Sequence, residues 1–352
     1  MAIVKTPFGT TRDGIPVDRY TLTGTQGMQA DVITFGAVLQ RLLVPDAAGN
    51  TADVTLGFDT LEGYEGIAPF FGAVVGRYGN RVGGSAFELD GVRYQLNAND
   101  RKNSLHGGFK GFGSKVWQAE IETRDGIETL VLSYDSPDGE EGYPGNLHAE
   151  VAYSLTPDNA LMLAYRATTD KPTIVNLTNH AYFNLSGHKA GSIEDHIIRI
   201  PAGFFTVTDN ESIPTGEIRP VDGTPLDLRD PTRIGEQIDS AYDQIRLCKG
   251  YDNNWVLPSD GRTLVLAAEV TDPASGRTMQ VLTNHRGVQF YTGNGLRTRL
   301  PGKEDAAYAS RGGFCLETQF YPDAIHQPHF PSPVLRPGEE HRSTTLFRFG
   351  TR

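Results

Sequence analysis

Cysteine and basic residues are both scarce in this chain of 352 residues. The two cysteines, Cys248 and Cys315, cannot form the disulfide framework that staples small secreted proteins, and such low usage fits a reducing compartment. Lys and Arg number 32 against 43 Asp and Glu, which gives a formal net charge of −11. Because non-specific nucleic-acid binding needs a basic surface, this balance predicts no nucleic-acid partner.

Long apolar runs are also missing from the sequence. The longest, Pro69 to Gly76, is far shorter than the roughly 20 residues that a helix needs to cross a bilayer. The first residues lack the apolar stretch of a signal peptide. We therefore expect no membrane segment and a cytoplasmic location.

Helical periodicity is rare, and apolar residues instead alternate with polar ones. Three blocks, 87–96, 147–167 and 264–283, each predict a pair of half-buried antiparallel strands. In the first, Asp90-Gly91 suits the two positive φ angles of a type I′ turn. A helical signal occurs at 230–238, where Asp230 precedes a proline, and it predicts one short helix.

No alternation of strands and helices is present, so a parallel sheet is not expected. The chain contains 40 Gly and 21 Pro, which suit many turns and long loops. We predict an all-β fold, one large antiparallel β-sandwich domain over residues 1–352.

Two glycine-rich polar segments lie in the first third of the chain. Gly76–Gly84 carries Asn80 and Arg81, which offer several directed hydrogen-bond donors. It lacks the Lys-Ser/Thr ending of a phosphate loop. In 103–108, His106 is followed by two glycines that leave the imidazole exposed to a ligand. Taken alone, the first segment also fits a glycine-rich loop with a surface arginine, and His106 also fits a histidine with a structural role.

A third polar segment, 178–185, contains His180 and Tyr182. In a strand these two side chains share one face. Asn179 and Asn184 are poor strand formers, and a segment whose composition opposes its local structure often marks a functional site.

The fourth segment, Gly313–Pro322, contains Glu317 within an apolar run. Alternation places this carboxylate on the same face as Cys315 and Gln319. Burial there would raise the pKa of Glu317 toward the range of a general base. The alternative is the exposed face of an edge strand.

Two further segments supply polar groups beside aromatic rings. Asp252 lies in 250–255, and Gln289 lies in 287–294. Amides and carboxylates that bind hydroxyls, next to rings that cover an apolar face, suit a sugar.

Signatures of metal and nucleophile chemistry are absent from the sequence. There is no His-Glu-x-x-His motif, and His326 and His329 are separated by a proline. Cys315 lacks an electropositive setting, and no Gly-x-Ser-x-Gly elbow occurs. We expect neither a metal nor another cofactor.

Taken in order, these segments resemble the aldose 1-epimerase family, also called galactose mutarotases. The resemblance covers the chain from about Gly9 to Arg348. It rests on six segments, which are Gly76–Arg81, Asn103–Gly108, Thr178–Leu185, Gly250–Asn254, Gly287–Asn294 and Glu317–Ala324.

The resemblance implies a galactose mutarotase-like β-supersandwich that interconverts the α- and β-anomers of free aldohexoses. It implies that His180 is the general acid and Glu317 the general base. The implied substrate contacts are Asn80, Arg81, His106, Tyr182, Asp252 and Gln289. We expect a sugar as the partner, no cofactor, and a monomer or weak homodimer.

The residues fit this chemistry independently of the resemblance. Opening a hemiacetal requires one group to take the proton of the C1 hydroxyl and another to protonate the ring oxygen. A His and a Glu with pKa values displaced toward neutrality can do both.

Three other functions remain open on the residues alone. An epimerase of hexose 6-phosphates needs cations for the dianion, for which Arg81 and Arg77 are candidates. A non-catalytic sugar-binding module needs no acid–base pair. A glycosidase needs two carboxylates, and Asp252 with Glu317 is the obvious pair.

Overall fold

Antiparallel strands form most of the computed structural model, which describes residues 2–66 and 70–352. Pro69, where the longest apolar run begins, lies outside the described residues. Within them, no helix is both long and apolar enough to cross a membrane.

The most extensive sheet has nine strands and is called the large sheet below. Its neighbouring strands run antiparallel. In spatial order they are Gln118–Arg124, Ile127–Ser136, Leu147–Leu155, Ala160–Thr169, His341–Thr351, Arg277–Thr283, Val265–Thr271, Ile197–Arg199 and Thr232–Arg233.

Two sheets of five strands complete the main framework. The N-terminal sheet consists of Ala2–Thr10, Pro16–Thr23, Gln29–Ile33, Val38–Pro45 and Thr51–Asp53. The second, called the site sheet below, consists in spatial order of Pro214–Pro220, Phe204–Thr208, Asp252–Val256, Gly287–Tyr291 and Cys315–Gln319.

Short elements connect these sheets. The two-stranded pairs are Arg81–Val82 with Ser104–Leu105, Val74–Val75 with Thr178–Asn179, Ala86–Leu89 with Val92–Gln95, and Thr173–Ile174 with Val334–Leu335. The α-helices are Leu61–Tyr64 and Asp243–Cys248, and the 3₁₀ turns are Gly83–Ser85, Phe112–Ser114, Glu140–Gly142, Ile234–Glu236, Lys303–Asp305 and Ala324–His326.

One apolar cluster contains residues of the N-terminal sheet, the large sheet and the site sheet. It contains Val32 of the N-terminal sheet, Val151 of the large sheet, and Phe290 and Leu316 of the site sheet. Because side chains alternate along a strand, burying Leu316 in this core leaves Glu317 on the opposite face. A slip of one residue would reverse the two, so core packing fixes which face of the site sheet is polar.

The predicted all-β fold and its hairpins are confirmed. The turn between Ala86–Leu89 and Val92–Gln95 has φ values of 52° at Asp90 and 78° at Gly91, as a type I′ turn requires. The other two predicted blocks form adjacent antiparallel strands of the large sheet.

The helix predicted at 230–238 is wrong. Thr232–Arg233 pairs as a strand with Ile197–Arg199, and Ile234–Glu236 forms a 3₁₀ turn. The Ile234 amide donates to the His196 carbonyl over 2.9 Å, and the isoleucine side chain is buried. Pairing at the edge of the large sheet thus outweighs the local helix signal.

Arg77 is a buried tie between loops. It is 1% exposed and donates to the carbonyls of Pro144 and Gly145 over 2.8 and 2.9 Å and to Ser136 Oγ over 2.6 Å. Burial lowers the pKa of its guanidinium to about 10, so the group stays charged at neutral pH. Both terminal nitrogens of the guanidinium donate within the fold, and its burial keeps the group out of reach of a substrate phosphate.

We expect Arg77→Met to lower the free energy of unfolding by about 3 kcal/mol or more, because several buried acceptors lose their charged donor. Chemical denaturation monitored by tryptophan fluorescence measures the change. Arg246→Met, at an exposed position of Asp243–Cys248, is the control and should change little. A loss below about 1 kcal/mol for Arg77→Met would contradict the assignment.

Candidate active site

The first two polar segments meet through a short antiparallel pair. Arg81–Val82 pairs with Ser104–Leu105, and the His106 amide donates to the Asn80 carbonyl over 3.1 Å. The Asn80 amide in turn donates to His106 Nδ1 over 3.0 Å. Because Nδ1 accepts this bond, the ring proton of neutral His106 is assigned to Nε2. His106 therefore presents an N–H donor to the site.

Gly107 makes this approach of two loops possible. Its φ is +86°, and a Cβ there would lie 1.8 Å from the carbonyl oxygen of Gly76. A glycine is required on both counts.

The third segment forms less strand than predicted. Its strand ends at Asn179, but the His180 amide donates to the Ala73 carbonyl over 2.9 Å and keeps the chain extended. The rings of His180 and Tyr182 stack with centroids 5.1 Å apart and an interplanar angle of 21°. The two side chains thus lie on the same side, as expected.

The asparagines of this segment hold backbone in place. Asn179 Nδ2 donates to the Gly72 carbonyl over 2.7 Å, and Asn184 Nδ2 donates to Gly191 and Gly312 over 3.0 and 3.1 Å. These hydrogen bonds to loop carbonyls explain why two poor strand formers occur in this segment.

Three strands of the site sheet carry the remaining predicted residues. Gln289 lies directly opposite Glu317 in the register, and Gln289 Nε2 donates to Asp252 Oδ1 over 2.7 Å. Glu317 is 2% exposed. The alternative of an exposed edge-strand face is therefore wrong.

Glu317 and two imidazoles converge at the centre. His180 Nε2 lies 3.7 Å from Glu317 Oε1, and the rings of His106 and His180 have centroids 5.0 Å apart. Arg81 lies next to these groups, and its Nε donates to Asp100 Oδ2 over 2.8 Å. The structure brings together all eight residues predicted for the site, which are Asn80, Arg81, His106, His180, Tyr182, Asp252, Gln289 and Glu317.

Burial displaces the two central groups in opposite directions. It raises the pKa of Glu317 to about 8, with a further rise from the charge of Asp252 and an opposing effect of Arg81. Burial lowers the pKa of His180 to about 4, so the expected displacement toward neutrality is wrong for this imidazole. At neutral pH the structure therefore favours a proton on the carboxyl and a neutral imidazole, rather than an ion pair.

The surrounding groups follow the same rule. Burial lowers the pKa of His106 well below its usual value, and His180 and Arg81 lower it further. Burial raises the pKa of Asp252, against the effects of Arg81 and Gln289. The site is thus deeply buried and of low dielectric, where hydrogen bonds to a ligand count strongly.

Three residues of the site were missed by sequence reasoning. Phe70 stacks on His180 with centroids 5.8 Å apart and meets His106 edge-on at 4.8 Å. It belongs to an apolar run with no polar signal. Asp100, which binds Arg81, lies three residues before the Asn103 segment. Cys315 was placed on the correct face but given no role, and its Sγ lies 3.5 Å from His180 Nδ1.

The central residues do not fit a metal ion. Candidate ligand atoms of His106, His180 and Glu317 lie within 4.8 Å of one another. A ligating imidazole donates its other N–H to an acceptor, whereas His106 Nδ1 accepts the N–H of Asn80. Neither nitrogen of neutral His106 then offers a lone pair to a cation. This arrangement suits hydrogen bonding to an oxygen-rich ligand instead.

Comparison with known proteins identifies the family. The sequence profile described as aldose 1-epimerase matches residues 18–348. The chain is 45% identical over 333 residues to the galactose mutarotase of Bos taurus, covering 95% of this chain and 94% of that protein. It is 37% identical over 339 residues to the aldose 1-epimerase of Escherichia coli K12, covering 96% of each.

A solved structure shows the same architecture. The galactose 1-epimerase from Lactobacillus acidophilus NCFM superposes with a TM-score of 0.86 at 26% identity, covering 99% of each chain. With the profile match over most of the sequence, this establishes that the chain belongs to the aldose 1-epimerase family of isomerases.

Proposed function

We propose that this chain interconverts the α- and β-anomers of free aldohexoses such as glucose and galactose, with Glu317 as general base and His180 as general acid. The observation that supports these roles is the buried contact of 3.7 Å between His180 Nε2 and Glu317 Oε1. The two groups have opposite pKa displacements and adjoin a set of hydroxyl-binding side chains. Family membership supports the reaction itself.

Ring opening moves one proton at each of the two oxygens bonded to C1. The Glu317 carboxylate takes the proton of the C1 hydroxyl, while protonated His180 gives its Nε2 proton to the ring oxygen and the bond from that oxygen to C1 breaks. The products are an open aldehyde, protonated Glu317 and neutral His180. After rotation about C1–C2, His180 takes the proton of the C5 hydroxyl as its oxygen attacks C1. Glu317 returns its proton to the C1 oxygen.

The proton distribution in the structure corresponds to the middle of this cycle. Neutral His180 with protonated Glu317 is the pair that closes an open-chain sugar. A cyclic sugar requires the proton on His180, so binding must favour the carboxylate. Sugar hydroxyls that donate to Glu317 supply that preference, because Oε2 has no hydrogen-bond partner among the described residues.

The remaining residues suit the sugar hydroxyls. Asp252 and Gln289, joined by their 2.7 Å hydrogen bond, present an acceptor and an amide side by side. Arg81 and Asn80 supply donors on the opposite loop. His106 Nε2–H can stabilise charge that develops on an oxygen during opening.

The phosphorylated-sugar alternative finds less support. A phosphate dianion wants several cations, whereas Arg77 is buried and used within the fold. Arg81 is already paired with Asp100. A glycosidase would use Asp252 as a second carboxyl group, but that side chain is engaged by Gln289.

Several expectations from the sequence remain proposals. We propose a single aldose 1-epimerase-like domain over residues 1–352, supported by the apolar core shared among the three sheets. A cytoplasmic location, a monomer or weak homodimer, and activity without a cofactor are also retained.

Glu317→Gln tests the base directly. We expect the catalysed rate of optical-rotation change in fresh α-D-glucose and α-D-galactose to fall roughly 10²- to 10⁴-fold, because the amide cannot accept the C1 proton. Glu88→Gln, exposed on the 86–95 hairpin, is the matched control. A Glu317→Gln protein with the parent rate would refute the assignment.

The same substitution should stabilise the fold at alkaline pH. The pKa of Glu317 rises from an ordinary 4.5 to about 8, so its contribution to stability is largest below pH 4.5 and is lost as pH rises toward 8. Glu317→Gln should gain about 2–4 kcal/mol over the parent at pH 8 and much less at pH 5. Denaturation at both pH values, with Glu88→Gln as control, measures this gap. Equal gaps would contradict a buried, displaced carboxyl.

Activity should depend on pH as a bell-shaped curve. Catalysis needs one proton shared by Glu317 and His180, so kcat/KM should fall below the pKa of about 4, where both are protonated, and above about 8, where neither is. Polarimetry corrected for the uncatalysed reaction at each pH measures the profile. A rate that keeps rising past pH 9 would exclude this pair as the titrating groups.

A further inference from the structure

Four side chains contact the imidazole of His180. The rings of Phe70 and Tyr182 both stack with it, with centroids at 5.8 and 5.1 Å. One edge, Nε2, points toward Glu317 at 3.7 Å, and the other, Nδ1, meets the sulfur of Cys315 at 3.5 Å. The stacked rings fix the plane of the imidazole, but rotation within that plane is limited only by contacts at its edges.

Cys315 and Glu317 share one rigid strand. They lie two residues apart on the same face of Cys315–Gln319, and both are buried. The register sets Cys315 opposite Tyr291 and Glu317 opposite Gln289. The contact of Cys315 with Nδ1 and the contact of Glu317 with Nε2 are therefore held by the same strand.

We propose that Cys315 is a positioning residue of the reaction, whose sulfur contacts Nδ1 of His180 and thereby directs Nε2 toward Glu317 and the ring oxygen of the sugar. This inference rests on the proposed role of His180. Cys315 itself touches no reacting atom and forms no bond with the substrate.

If His180 is the general acid, a thiol next to Nδ1 helps it to release its proton more than a carboxylate would. Burial raises the pKa of Cys315 well above its usual value, so the group is a neutral thiol. When His180 is protonated, Nδ1–H meets the weakly accepting sulfur, while the backbone of His180 itself raises the pKa of the imidazole against the larger effect of burial. A carboxylate at this place would stabilise the imidazolium, as the aspartate of a Ser-His-Asp triad does. The weak acceptor keeps the imidazolium acidic enough to protonate an ether-like oxygen.

The other titratable groups around the ring leave this role to Cys315. Those that face His180 or stand behind its neighbours are Glu317, His106, Tyr182, Tyr291, Asp252 and Arg81. Of these, Glu317 lies at the Nε2 edge and Tyr182 on a face. Within residues 2–66 and 70–352, Cys315 is the side chain that hydrogen-bonds Nδ1.

The test compares Cys315→Ala with Cys315→Ser. We expect the alanine variant to lower kcat roughly 10- to 100-fold, as misaligned catalytic groups do, with KM for galactose within about twofold. Serine should restore part of kcat and move the acid limb of the pH profile upward, because a hydroxyl accepts more strongly than sulfur. Ring ¹⁵N resonances of His180 should shift in both variants.

Val281→Ala in the core of the large sheet is the control for lost packing. It should lower stability while leaving kcat and the pH profile unchanged. Parent-like kcat and ¹⁵N shifts in Cys315→Ala would overturn the inference, and so would an equal loss of kcat in Val281→Ala. His180→Gln separates the two proposals, because an active His180→Gln enzyme refutes the role of His180, whereas an inactive one beside a fully active Cys315→Ala refutes only the role of Cys315.

Discussion

The site depends on burying a carboxyl group that no Lys or Arg binds within the described residues. Glu317 is 2% exposed, and its Oε2 has no hydrogen-bond partner within the described residues. Such burial costs free energy whenever the group is ionised. It also raises the pKa of Glu317 to about 8 and lowers that of His180 to about 4, so the shared proton rests on the carboxyl until sugar hydroxyls favour the carboxylate. The extensive apolar core offsets this cost.

Because side chains alternate along a strand, packing one face of the site sheet into that core leaves the other face for the catalytic groups. Leu316 and Phe290 pack into the shared cluster, which forces Glu317 and Gln289 onto the other face of the site sheet. Loops then bring the imidazoles over this face. The register of the site sheet depends on the packing of the core. A change that disturbs either one therefore displaces Glu317.

Local signals explain both the successes and the failures of sequence reasoning. The hairpins were predictable because alternation and turn residues are local signals, and the clustering of the eight polar residues was predictable because their ordered motifs resemble those of the aldose 1-epimerase family. The helix at 230–238 was wrong because pairing with Ile197–Arg199 is a contact between distant segments. Phe70 and the role of Cys315 were missed because an apolar residue gains a function only from the imidazole that folding places beside it.

The one proton shared by Glu317 and His180 explains why so buried a site can catalyse both ring opening and ring closure. Carboxylate with imidazolium and carboxyl with neutral imidazole carry the same net charge, so ring opening and closure move a proton without changing the charge of the cavity. Burial favours the neutral pair, which matches the open-chain sugar, and hydroxyls of the cyclic sugar favour the ionised one. Each form of the substrate thus meets the proton distribution from which its own reaction starts. A carboxylate in place of Cys315 would hold the proton on His180 and remove this balance.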